Sequence, residues 1–408
     1  NNKTQHFKMA DVGTELMRTI FNNKNRITLG SFLAYFVMSA FISPLGLVSG
    51  PIAVDFQISI TAATAAFTYL TTGVLVGTLL AMFIFDFVRI KYVVIGGVVV
   101  ICGSVTAMYA VHHYAVLTTG LALIGASCGL ELSAAAIVIT KLFDERLRAS
   151  MLLLTDSFYS MAGVLSTSIA GVMLARQFHW SGAYLLGFIV AAGIGVIALT
   201  AKYPATHKSL QSTQSSGKIF EWPAGVHLVG LALLVYLVGF VSIYSWVPNH
   251  AQEQLGLSVG TSSQVVSRMF LGMFIGQLIM FFLVLKFSLR LLIVLYASLA
   301  TLMTVMLWTA QTSLQLQISM LVLGLVTGGL LKTVLSYGTT MLKEPSPKMV
   351  SYLIFHSGVG TAITPFVSSF IVERFNTAAA LQFATICYLV MLVLIIYAQQ
   401  LDARGART

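Results

Sequence analysis

The sequence predicts an all-α, polytopic membrane protein of twelve transmembrane helices in two six-helix halves. Three observations carry that prediction. Only 9% of the 408 residues are charged and 57% are hydrophobic, with a mean hydropathy of +0.90, whereas a soluble domain carries about 25% charged residues. Apolar stretches of about 20 residues, enough to cross a hydrocarbon core of roughly 30 Å, recur along almost the whole chain. One long polar break, 202–222 (KYPATHKSLQSTQSSGKIFEW), divides those stretches six and six.

The first six spans are expected at 27–49, 61–84, 92–111, 115–141, 150–174 and 182–201. The second six are expected at 223–247, 263–285, 291–310, 316–342, 349–372 and 379–398. The chain thus divides into an N-terminal segment (1–26), a first half (27–201), a linker (202–222), a second half (223–398) and a tail (399–408). With the N-terminus placed inside, nineteen lysines and arginines fall on inner segments and only Arg176 and Arg374 on outer ones. By the positive-inside rule both termini are then cytoplasmic. Met9, Val12, Leu16, Ile20 and Phe21 recur at helical spacing beside Glu15 and Arg18. They read either as a helix lying on the inner membrane surface or as an unstructured tail. The three cysteines all lie within apolar stretches and suggest no disulfide framework.

Internal repeats sharpen the architecture. Phe158-Tyr159-Ser160 with Gly163 is echoed by Phe355-His356-Ser357 with Gly360, and Gly125 and Gly129 by Gly324 and Gly328. The loop 56–59 is echoed by 255–258, so every offset lies between 197 and 199 residues. Six plus six spans with parallel repeats is the plan of the major facilitator fold, whose site lies near mid-membrane between the halves. Asp86-Phe87-Val88-Arg89-Ile90-Lys91 is similar to the loop signature of that superfamily. Asp86, Arg89 and Lys91 are therefore candidate gating residues. The stretch Thr155–Gly163, Ser245-Trp246-Val247-Pro248 and Pro345-Ser346-Pro347-Lys348 together resemble the bacterial TsgA-type transporters, grouped with the fucose–proton symporter branch. The resemblance covers essentially the whole chain from about residue 27. It implies a bacterial inner-membrane protein and proton-coupled uptake of a small polar solute. It also implies an acidic residue in the coupling role on the fourth helix, where Glu131 stands. The family pattern leaves 131, 268 and 332 uncharged, so the resemblance does not supply a substrate.

Ionisable residues inside spans are costly, and are functional candidates for that reason. Glu131, mid-span four beside Gly125-x-x-x-Gly129, reads as a proton-coupling and solute-binding carboxylate, or else as a structural acid held by neighbouring hydroxyls. Lys332, mid-span ten, lies too far from the inner end to snorkel out. It reads as an anchor for an anionic solute, or as the ion-pair partner of Glu131. When the repeated glycines are aligned, Lys332 falls on Ser133, two residues and about 200° of helix rotation from Glu131. That both face one cavity therefore rests on the cost of burying charge. Arg268 is expected either to line an outer vestibule and bind anions or to snorkel to the interface. His356 is a candidate proton and solute partner, or a hydrogen-bonded structural residue. Asp156 is expected to work in proton coupling, in an inner gate with Lys141, Arg146 or Arg148, or simply at a helix end. Tyr35, Tyr159 and Tyr244 are candidate cavity walls, and Trp246 a residue of the outer aromatic belt.

No Walker A loop, GxGxxG after a strand, HExxH or GxSxG elbow occurs, so an ATP-driven pump or a membrane enzyme has little support. No cofactor or metal is implied. The net charge of +10 is spread over span ends and makes no nucleic-acid stripe. The expected function is proton-coupled secondary transport, most naturally uptake of a small carboxylate-bearing solute, by a monomer in the bilayer. Rival readings are a neutral sugar symporter, an importer of polycarboxylate siderophores, a drug or metabolite exporter, and a non-transporting sensor.

Overall fold

Spans of this length and hydropathy must satisfy their backbone groups internally, so each becomes a helix. The computed structural model describes residues 22–143, 145–204, 222–341 and 347–405, without side-chain detail at 82, 86, 145–150, 152, 153, 347, 348, 404 and 405. Among the described residues twelve helices are long and apolar enough to cross a membrane. In the first half these are spans 1 to 6: Asn23–Ile42, Ile60–Ala81, Ile90–Ala110, Tyr114–Leu142, Leu154–Ala175 and Trp180–Thr200. Spans 7 to 12 follow: Ala224–Leu255, Val259–Val284, Leu289–Thr309, Ser313–Thr339, Met349–Arg374 and Thr377–Ala403. The segment 9–21, most of the linker, and Pro345 and Ser346 lie outside the described residues.

Span 2 breaks briefly at Ala66, between Ile60–Ala65 and Phe67–Phe87, and spans 1 and 10 are interrupted for a clear local reason. Span 1 stops at Ile42 and resumes as a helix over Leu45–Asp55, because Pro44 has no N–H to continue the ladder. Span 10 stops at Thr327 and restarts as Leu330–Thr339 across Gly328 and Gly329. Hydroxyls elsewhere in the spans turn back onto their own helix: Ser31 donates to the carbonyl of Ile27 at 2.9 Å and Thr327 to that of Leu323 at 2.8 Å.

Glycines bring the helices of each half into contact. A Cβ on Gly125 or Gly129 of span 4 would collide with the carbonyls of Leu70 and Val74 in span 2. A Cβ on Gly73 or Gly77 of span 2 would strike Ala122 and Ala126 of span 4. The second half repeats this between spans 8 and 10. There Gly324 and Gly328 lie against Met269 and Met273, and Gly272 and Gly276 against Leu321 and Leu325. All four glycines recur at an offset of 199, twice the number of glycine pairs visible in the sequence comparison.

The halves meet along three seams. Span 5 touches span 8 where the Ser168 and Ser267 hydroxyls lie 3.0 Å apart. Span 2 touches span 11 where Thr71 donates to the carbonyl of Ala362 at 3.0 Å. The helix Leu45–Asp55 lies against span 7, with Gly46 on the carbonyls of Tyr244 and Ser245. Residues 39–49 and 238–251 are buried on every face, which closes the end of the molecule opposite the chain termini. Towards the terminus-bearing end the interior stays accessible at Lys332, which is exposed although it lies mid-span.

Candidate functional site

The restart of span 10 sets the site. Lys332 lies in the first turn of Leu330–Thr339, where the positive end of a helix disfavours a cation. A counter-charge is needed, and Asp156 of span 5 supplies it. Lys332 Nζ and Asp156 Oδ2 are 3.4 Å apart. The pair joins the two halves. The Lys332 side chain is 47% exposed and that of Asp156 20%, so both border open space at mid-depth in the protein.

Other polar groups converge there. Tyr35 of span 1 faces both charges and hydrogen-bonds Thr155. Gln277 of span 8 donates its amide to Ser160 Oγ at 3.1 Å and to the Asp156 carbonyl at 3.4 Å. On the closed side an aromatic chain crosses the molecule: Tyr159 to Phe270 at 6.4 Å, Phe270 to Tyr244 at 6.3 Å, Tyr244 to Phe240 at 5.6 Å and Phe240 to Tyr236 at 6.0 Å. The arrangement offers one cation, one acid and several phenols beneath an apolar roof.

Residues 27–262 and 228–407 match the sequence profile of the Major Facilitator Superfamily. The chain belongs to that superfamily. It is a multi-pass membrane transporter of small molecules. This facilitator is TsgA-like: it is 30% identical to Protein TsgA of Shigella flexneri over 374 residues, 91% of this chain and 95% of that protein. The TsgA homolog of Yersinia pestis is 28% identical over 376 residues, again 91% of this chain and 95% of that one. Among solved structures, a D-xylose–proton symporter superposes with a TM-score of 0.74 at 12% identity, covering 92% of this chain and 97% of that one. The nucleoside transporter NupG gives 0.70 at 15%, covering 93% and 100%. The transporter FucP in its outward conformation gives 0.61 at 16%, covering 92% and 99%. At such identities these likenesses concern the fold.

The facilitator frame places the remaining expected residues differently. Glu131 does not face Lys332. It is 1% exposed, within the first half, against Gly30, Ser31, Ala34, Val94, Ile194 and Tyr203. The glycine register explains this: the position equivalent to Glu131 is Leu330, fully buried in its own half, and the equivalent of Lys332 is Ser133. The Glu131–Lys332 pair, the alternative reading of Lys332, is thus replaced by Asp156–Lys332. The helix-end reading of Asp156 also fails, because its helix begins at Glu145, eleven residues earlier.

Arg268 shares the exposed stripe of Ile275, Ile279 and Phe282 on span 8, spaced as one helix face, and points away from the Asp156–Lys332 pair. His356 engages the carbonyl of Tyr352 through Nδ1 at 2.9 Å, and the Tyr352 hydroxyl meets His227 Nδ1 at 2.8 Å. This His–Tyr–His cluster lies between spans 7 and 11. Trp246 is fully buried and donates to Ser368 Oγ at 3.0 Å, and so is no belt residue. Lys91 donates to the carbonyl of Leu199 at 3.0 Å, while Arg89 is exposed. The side chains of Asp86, Arg146 and Arg148 lie outside the described residues. Gln277, Tyr352 and His227 were not singled out in the sequence. A polar residue within an apolar span was the available signal for Gln277 and His227.

Proposed function

We propose that this facilitator is a proton-coupled secondary transporter that moves a small polar, carboxylate-bearing solute into the cell by alternating access. The observation that carries this reading is the Lys332–Asp156 pair, which bridges the halves at 3.4 Å beside an interrupted span. With the terminus-bearing end cytoplasmic, as the charge bias supports, the accessible interior opens inward. In this state Asp156 occupies the cation. When the halves rock and the site faces outward, a proton on Asp156 releases Lys332 to hold a solute carboxylate. On the inward swing Asp156 gives up the proton, reclaims Lys332 and displaces the solute. Proton and solute thus move together. Asp156 takes the part of the competing acid that the sequence reading gave to Glu131.

A neutral sugar is the second reading, favoured by the neutralised cation and by the phenols of Tyr35, Tyr159 and Tyr244. The deciding experiment is a thermal-stability panel on the purified chain with small carboxylates, ferric polycarboxylate chelates and neutral sugars at two pH values. Carboxylates are expected to stabilise it, more so at the lower pH. Lys332→Ala should abolish that stabilisation, and Asp156→Asn should make it independent of pH. Stabilisation by sugars alone, retained in Lys332→Ala, would select the second reading.

A further inference from the structure

Glu131 is the buried acid that this cycle leaves unused. Among the described residues neither of its carboxylate oxygens has a hydrogen-bond partner and no ion pair includes it. Its surroundings come from spans 1, 3, 4 and 6 and from Tyr203, with nothing from the second half. Gly97 of span 3 makes room for it: a Cβ there would stand 2.8 Å from Oε1. The titratable groups that feel its charge are Tyr203, Cys102 of span 3 and Cys128 of span 4, none of them a cation. An ionised carboxylate so placed is severely penalised, and the penalty falls away when it carries a proton.

The crevice around Glu131 ends at Tyr203 near the terminus-bearing end. Burial, the larger cause, pushes the Tyr203 hydroxyl up, so that it bears its proton and can donate whether or not Glu131 is charged. A clamp ties the neighbouring span ends together. Asn23 donates to the carbonyl of Lys202 at 2.8 Å and accepts its N–H at 2.7 Å. Arg26 donates to Thr200, and Lys91 to the carbonyl of Leu199 at 3.0 Å.

We propose that Glu131 is a second proton-binding site, separate from the solute cavity, which exchanges its proton past Tyr203 through the crevice between spans 1, 3, 4 and 6. This deepens the proton-coupled reading and rests on it. The proton on Glu131 does not compete with solute for Lys332. It sets the packing of the first half, and opening of the span 1–span 6 clamp controls its exchange. Solute release and the exchange of this proton therefore pass through different doors on the same side.

Infrared spectroscopy of the reconstituted full chain tests this without any solute. A carbonyl band of a protonated carboxyl should appear near neutral pH, be lost in Glu131→Gln and remain in Asp156→Asn. Transfer to deuterated buffer should shift that band slowly, and at least tenfold faster in Tyr203→Ala. Glu131→Leu, which installs the residue found at the repeat-equivalent position 330, guards against a folding defect: it should fold and lack the band. Persistence of the band in both Glu131 variants, or an exchange rate that Tyr203→Ala leaves unchanged, would overturn the second site. Either result would leave the Asp156 cycle intact. A failure of that cycle would show instead in the ligand panel.

Discussion

Lys332 illustrates how a single charge is kept inside a membrane protein. It combines a counter-ion with access to water, and together these offset both a burial cost of several kcal/mol and an unfavourable place in the first turn of a helix. Removing either partner strands the other. Because Lys332 is half exposed, the loss should fall between that of a surface pair and that of a sealed one, about 1–2 kcal/mol for Lys332→Ala or Asp156→Asn. In detergent unfolding experiments the double variant should lose clearly less than the two single losses added. Additive losses would show that the pair is not coupled. Glu131 is the contrasting case, sealed and unpartnered, so its chemistry must be that of a proton rather than of a bound ion.

At the scale of elements, the glycine seams decide which helix faces are inward. Span 4 presses on span 2 through Gly125 and Gly129, and span 2 on span 4 through Gly73 and Gly77, and that contact fixes the rotation of every other residue on the helix. A larger side chain at the seam should separate the helices, so Gly125→Val or Gly324→Val should destabilise by about 1–3 kcal/mol or more. Gly96, with nothing within 4 Å of an added Cβ, should accept alanine with a change of less than about 1 kcal/mol, of stabilising sign. Thermal midpoints of the three variants check the contrast, and equal effects at Gly96 and Gly125 would refute the seam. The offset of 197 to 199 was legible in the sequence, as were Gly125, Gly129, Gly324 and Gly328. Their partners Gly73, Gly77, Gly272 and Gly276 were not, because a small residue reveals its use only when a second backbone lies against it.

For the whole molecule, alternating access requires the closed end to open as the halves rock. Ser168 and Ser267 face each other across that closed end at 3.0 Å, whereas Ser43 and Ser166 meet at 2.7 Å within the first half. A disulfide between cysteines at 168 and 267 should arrest transport by proteoliposomes and restore it on reduction. A disulfide between cysteines at 43 and 166 should leave transport running, since that pair moves as one body. Transport that continues with the first pair oxidised would contradict rocking about a central site.

The sequence by itself determined the twelve helices, the six-plus-six repeat and the identity of the costly charges. Hydropathy and spacing report length and burial directly, and a charge in lipid stands out wherever it falls. Only the tertiary structure decided which charges share a space. A displacement of two residues turns a side chain through about 200°, enough to carry Glu131 into its own half and leave Lys332 to Asp156. Backbone packing at the glycines sets that rotation, and it exists only once the helices are in contact.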